Sequence, residues 1–116
     1  MLQVRDLWVA YNGAVALKGI SLEVRRGEVV AVIGANGAGK TTLFRAISGT
    51  VVPRSGEILY EGQNLVKGSA WKRAFLGIAH VPQGRLVFAS LTVLENLQVA
   101  AYTPAARASF KENLEL

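Results

Sequence analysis

The sequence has no cysteine, a single histidine and only three prolines in 116 residues. Without cysteine there is no disulfide framework, and its absence agrees with a reducing compartment without testing it, since many proteins lack cysteine anywhere. Long apolar runs are missing too: no segment approaches the roughly 18 consecutive apolar residues of a membrane-spanning helix. The opening MLQVRDLWVAY lacks the layout of a secretory leader, because Arg5 and Asp6 fall inside its apolar region. The expectation is a cytosolic chain. Nor is there a basic stripe. Thirteen Lys plus Arg against eight Asp plus Glu give a net charge of +5, which alone would admit a nucleic-acid, phosphate or membrane-surface partner. The longest basic runs are the pairs Arg25-Arg26 and Lys72-Arg73. This scatter reads as solvated surface, and no direct nucleic-acid partner is expected. Internal repeats and low-complexity segments are also lacking.

What is present is the material of a globular domain. Hydrophobic residues make up 51% of the chain and charged residues 18%, enough apolar surface for a buried core in one small domain. In MLQVRDLWVAY, Leu2 and Val4, then Leu7 and Val9, sit among polar residues as in a half-buried strand with one irregularity, and Asn12-Gly13 turns it. SLEVRRGEVVAVIG reads as a hairpin turning at Arg25 to Gly27. Its second arm, Val29 to Ile33, is apolar throughout and is expected buried on both faces of a parallel sheet. Lys40 to Ser48 reads as a helix with Leu43, Phe44 and Ile47 on one side and Gly49 as its stop.

Further on, Gly56 to Glu61 suggests a short strand closed by Gly62, and Ser69 to Leu76 a short helix ended by Gly77. Ile78 to Val81 reads as a second buried strand, halted by Pro82. Thr92-Val93-Leu94-Glu95 is a capping box that predicts a helix to about Tyr102, and Pro104 opens one more through the end of the chain. The order of elements indicates an α/β domain with a parallel sheet core and an antiparallel β flank.

One stretch carries chemistry. Gly34-Ala35-Asn36-Gly37-Ala38-Gly39-Lys40-Thr41 fits G-x-x-x-x-G-K-[ST], the P-loop pattern. A polyphosphate crowds negative charge onto closely spaced oxygens, and a loop holds it by turning successive backbone N–H groups inward. Side chains would block that approach, so glycine is required. The helix that follows directs its free N–H groups and positive dipole end at the same phosphates. Lys40 adds a full charge, the Thr41 hydroxyl suits Mg²⁺, and Thr42 can touch a phosphate through its backbone or hydroxyl. The competing interpretation is a glycine-rich turn with a surface lysine. The position between a buried strand and a helix favours the phosphate cradle.

The whole chain, from LQVRDLWVAYNGAVALKGISLEV to LTVLENLQVAAY, resembles the N-terminal half of the nucleotide-binding subunits of ABC transporters. Within that family, GANGAGKTTLFRAISG followed by SGEILYEGQNL and HVPQGRLVFASLTVLENL looks most like an ATP-binding subunit of a branched-chain amino-acid importer. The resemblance implies a partial P-loop NTPase of ABC type, with residues 1–82 in the catalytic core and 83–116 carrying the Q-loop and the start of a helical subdomain. It implies ATP and Mg²⁺ as cofactors, and it gives Tyr11 the role of stacking on adenine. Gln83 matches the Q-loop glutamine, which positions water and Mg²⁺, so that Thr41 and Gln83 are the expected metal contacts. The segment from Gly84 to Thr92, with Arg85 and Phe88, would lie beside the groove where a transmembrane subunit docks.

Expected partners are transmembrane permease subunits, a second ATP-binding subunit and, indirectly, a solute-binding protein, with the chain at the cytoplasmic face of the membrane. The sequence also departs from the family pattern. It contains no LSGGQ-like signature, no apolar strand ending in Asp-Glu and no switch histidine. His80 lies before the Q-loop as a core or edge residue, and Glu95 is the capping glutamate. The expectation is a truncated form that binds nucleotide and does not hydrolyse it alone. The alternatives are a nucleotide-binding module without turnover and a soluble ABC-type ATPase acting on nucleic acid or ribosomes.

Overall fold

The computed structural model describes every residue except Asn36, Ser69, Pro82, Gln83, Arg85, Leu86 and Leu116. Strand β1 (Leu2–Tyr11) turns at Asn12-Gly13 into β2 (Ala14–Val24). Both turn residues have positive φ, 48° and 84°, as a two-residue type I′ hairpin turn requires. Tyr11 thereby lies opposite Ala14. Strand β3 (Ser55–Tyr60) pairs with the other edge of β1, and the two-residue β4 (Gln63–Asn64) pairs with β3. The resulting sheet runs β2-β1-β3-β4 with every pairing antiparallel.

The irregularity in β1 has a packing reason. Strict alternation from Val4 would bury residues 6 and 8, yet Val4, Leu7 and Val9 are the buried ones. A register shift between Val4 and Leu7, with Asp6 at φ 47°, inserts the extra residue and rephases the strand. The displaced Asp6 N–H donates to Ser21 Oγ at 2.9 Å, and the Trp8 indole N–H donates to Asp6 Oδ1 at 3.2 Å. Helix α1 (Lys40–Ser48) lays Leu43 and Ala46 on the sheet against Val4, Leu7, Val9, Leu17 and Ile58, with Leu65 completing the core. Each of the larger aliphatic side chains in that core contributes roughly 1.5–3 kcal/mol by leaving water. Phe44, expected on the inward side, is exposed, and Ile47 is only partly buried. At 100° per residue the buried arc runs over Thr42, Ala46 and Leu43; Ile47 falls just beyond its margin and Phe44 on the far side of the helix.

The parallel core expected around Val29 to Ile33 is not formed among the described residues. Val29 and Ile33 are 96% and 94% exposed, and Val81, expected in the second buried strand, is 90% exposed. A strand apolar on both faces keeps its conformation where neighbouring strands take its backbone hydrogen bonds. No described strand pairs with either segment. The turn at Arg25 to Gly27 is present, with Glu28 N–H bonded to Arg25 O at 3.0 Å, but it leads into coil.

Helix α2 (Ala70–Phe75) is closed by Gly77 at φ 94°. Helix α3 (Val93–Ala100) ends short of Tyr102, and its N-cap Thr92 accepts from Glu95 N–H at 3.1 Å. The Glu95 carboxylate accepts from the Thr92 hydroxyl at 3.1 Å, the reciprocal half of the box being made to the side chain. The single helix expected from Pro104 is two, α4 (Pro104–Ala108) and α5 (Phe110–Leu114), broken at Ser109. None of α3, α4 and α5 carries a buried residue. No described helix is long and apolar enough to cross a membrane.

Candidate nucleotide-phosphate site

The glycine-rich loop enters α1 through two left-handed residues, Gly37 at φ 84° and Gly39 at φ 95°. The Ala38 N–H closes a turn on Ala35 O at 3.1 Å. The two glycines are needed for different reasons. A Cβ on Gly37 would meet nothing within 4 Å, so only its backbone conformation demands glycine. A Cβ on Gly39 would lie 2.7 Å from both Ala16 O and Leu17 Cδ2. Strand β2 therefore passes directly beneath the start of the helix. A Cβ on Gly34 would sit 3.2 Å from Ala38 Cβ.

Gly39 is the N-cap of α1 and provides no side-chain hydrogen bond. The first helical bond runs from Leu43 N–H to Gly39 O at 2.9 Å, which leaves the N–H groups of Lys40, Thr41 and Thr42 ahead of the ladder. By contrast the N-caps of α3 and α4, both of extended backbone, close their first turns with the hydroxyls of Thr92 and Thr103. Within the loop, the Lys40 ammonium donates to the Gly34 carbonyl, so its charge is held across the cradle.

Tyr11, Ala16, Gly37, Gly39, Lys40, Thr41 and Thr42 line one cavity of about 460 Å³. The hairpin brings this about: Tyr11 ends β1, Ala16 lies two residues beyond its partner Ala14, and Gly39 rests on Ala16. Of the expected site residues, Tyr11, Gly37, Gly39, Lys40, Thr41 and Thr42 are thus brought together. Gly34, Ala35 and Ala38 belong to the same loop, and Asn36 and Gln83 lie outside the described residues. Sequence reasoning missed Ala16. Its signal was the Asn12-Gly13 turn, which fixes what faces Tyr11.

The lining holds one cation, two threonine hydroxyls, the Tyr11 phenol and backbone N–H groups, with no carboxylate among its described members. It can take a polyanion. The Thr41 hydroxyl is a hard oxygen donor of the kind Mg²⁺ accepts, and the N–H groups at the start of α1, which no side chain caps, suit a phosphate. The described residues contain no group of three His, Cys, Asp or Glu side chains able to hold a metal by themselves.

Two other expected features can be placed. His80, expected as a core or edge residue of a strand, is exposed in coil and lines a separate groove with Phe44, Ile47 and Ile78. The end of the segment from Gly84 to Thr92 is pinned by Asn96, whose amide donates to Phe88 O at 3.1 Å and Thr92 O at 2.8 Å while Phe88 N–H donates back at 2.9 Å.

Comparison with known proteins gives consistent results. The ABC transporter family profile matches residues 17–116. The chain is 43% identical over 102 residues to the high-affinity branched-chain amino acid transport ATP-binding protein BraG of Pseudomonas aeruginosa, a match covering 88% of this chain and 44% of that protein. It is 38% identical over 103 residues to the "Probable branched-chain amino acid transport ATP-binding protein LivF" of Archaeoglobus fulgidus, covering 89% and 44%. It is also 36% identical over 100 residues to the xylose/arabinose import ATP-binding protein XylG of Sulfolobus acidocaldarius, covering 86% and 40%. A solved ATP-binding subunit of an ABC transporter superposes with a TM-score of 0.76 at 36% identity, over 90% of this chain and 45% of that one. The chain spans less than half the length of these relatives.

Proposed function

Because the chain belongs to the ABC transporter family, we propose that the loop from Gly34 to Thr42, together with Tyr11, binds Mg-ATP in an energy-coupling subunit of an importer. The cavity that joins Tyr11 to Gly37, Gly39, Lys40, Thr41 and Thr42 carries this reading. In it, the N–H groups at the start of α1 and the Lys40 ammonium take the phosphates, the Lys40 charge transferring from the Gly34 carbonyl to a stronger acceptor. The Tyr11 ring, which lines the same cavity, covers the base. The Thr41 hydroxyl and the Gln83 amide would hold Mg²⁺, which when bound would neutralise charge on the phosphate oxygens.

In the whole protein, ATP hydrolysis in a pair of such subunits drives transport through membrane permease subunits, with this chain at their cytoplasmic face. The relatives named for branched-chain amino acid transport support leucine, isoleucine and valine as the imported solutes. Titration of Mg-ATP into the wild-type chain and the Lys40→Ala variant tests the nucleotide site. The substrate is tested by uptake: cells without the whole gene are expected to lose leucine, isoleucine and valine import and retain import of a sugar. The opposite pattern would reassign the solute.

A further inference from the structure

Arg73 is one of the surface-reading failures of the sequence. It stands in a Lys-Arg pair on a six-residue helix, yet it is only 2% exposed. Its guanidinium donates to Ala46 O and to Ile47 O, the latter at 3.0 Å, and through its other terminal nitrogen to Leu65 O. No carboxylate among the described ion pairs meets it. The charge is instead met by the last-turn carbonyls of α1, the end of a helix where a cation is favoured.

The contacts form a chain through the molecule. Leu65 is in the core, and its own N–H donates to Ile58 O of β3 at 2.8 Å. Arg73 therefore ties the C-terminal end of α1 to the sheet through Leu65. Gly49, the left-handed stop of α1 at φ 92°, makes the room: a Cβ there would lie 2.9 Å from Arg73 Nη1 and 3.1 Å from Cζ. At the other end of α1, Gly39 rests on Ala16 and Leu17 of β2. The helix whose N-terminus forms the phosphate cradle is thus held against the sheet at both ends. Displacing such a helix would take its N–H groups off the positions they must occupy, and hydrogen bonds weaken steeply as their distance and angle depart from the preferred geometry.

We propose that Arg73 is a positioning residue for the phosphate site, acting through α1 without touching the nucleotide. The proposal rests on the nucleotide reading of the loop. The planar, five-donor fork of Arg73 spans the α1 carbonyls and that of Leu65, in the segment after β4, from two separate nitrogens; a lysine ammonium is a single compact point charge without that spread.

The test uses the full chain as wild type, Arg73→Lys, Arg73→Met and Lys40→Ala, with affinities for Mg-ATP, Mg-pyrophosphate and adenosine measured by calorimetric titration. Arg73→Lys keeps the charge and guards against Arg73→Met failing to fold. Both Arg73 variants are expected to weaken Mg-ATP and Mg-pyrophosphate by about tenfold, the equivalent of one misplaced hydrogen bond to a charged phosphate, with adenosine affinity unchanged. A purely structural role would lower the folded fraction and weaken all three ligands by the same factor, which would overturn the proposal. So would wild-type affinities in Arg73→Lys. If wild type binds Mg-ATP and Lys40→Ala does not, while the Arg73 variants bind as wild type, the Arg73 role falls and the nucleotide site stands. If wild type binds no nucleotide, the site reading falls and takes this role with it.

Discussion

The two ends of α1 are built to opposite purposes. At its C-terminal end, Gly49 N–H closes on Arg45 O at 2.9 Å, Thr50 N–H joins it at 3.0 Å, and Arg73 takes the Ala46 and Ile47 carbonyls. At its N-terminal end, Gly39 brings no side-chain cap, and the first-turn N–H groups face a cavity with Lys40 and Tyr11. A helix end left without internal partners is a cost unless water or a ligand satisfies it. In α1 that cost falls at the end where a polyphosphate would remove it. The neighbouring helices sharpen the contrast, since α3 and α4 spend a threonine hydroxyl on their first turns.

The difference can be broken most severely at Gly39. Gly39→Ala places a Cβ 2.7 Å from Ala16 O and Leu17 Cδ2 at φ 95°, and the left-handed conformation alone costs a residue with a Cβ roughly 1–2 kcal/mol. The expected result is loss of measurable ATP binding together with a lower unfolding midpoint in denaturant. The smaller test is at α3. Thr92→Ala removes the hydroxyl that accepts from Glu95 N–H and is expected to cost about 1 kcal/mol with ATP affinity unaltered. If Thr92→Ala weakened ATP binding as much as Gly39→Ala, the open end of α1 would have no special standing.

The features legible in the sequence were those whose physics is local. Asn12-Gly13 requires positive φ wherever it turns a hairpin, Gly49 stops a helix at its own position, and Thr92 caps three residues ahead. The P-loop was legible for the same reason, because its spacing encodes its own backbone. Features set by distant partners were not. Val29 to Ile33 reads as a buried strand from its apolar run, but a strand is made by its neighbours, and among the described residues it has none. Arg73 reads as surface charge, because nothing within six residues announces that the end of α1 lies 26 positions away in sequence. Phe44 was misplaced because a nine-residue helix offers too few turns for its apolar pattern to fix the direction of the buried arc, which is centred on Ala46 and Leu43 and includes Thr42.

The central claim is that the open end of α1 and its lysine form a phosphate site. Titrating Mg-ATP into the wild-type chain and into Lys40→Ala tests it most directly. A hydrogen bond from a charged group contributes roughly 1.5–3 kcal/mol, and each ~1.4 kcal/mol is tenfold in affinity. Saturable binding by wild type, weakened about 10- to 100-fold in Lys40→Ala, is the predicted result. Equal affinity in the two proteins would contradict it.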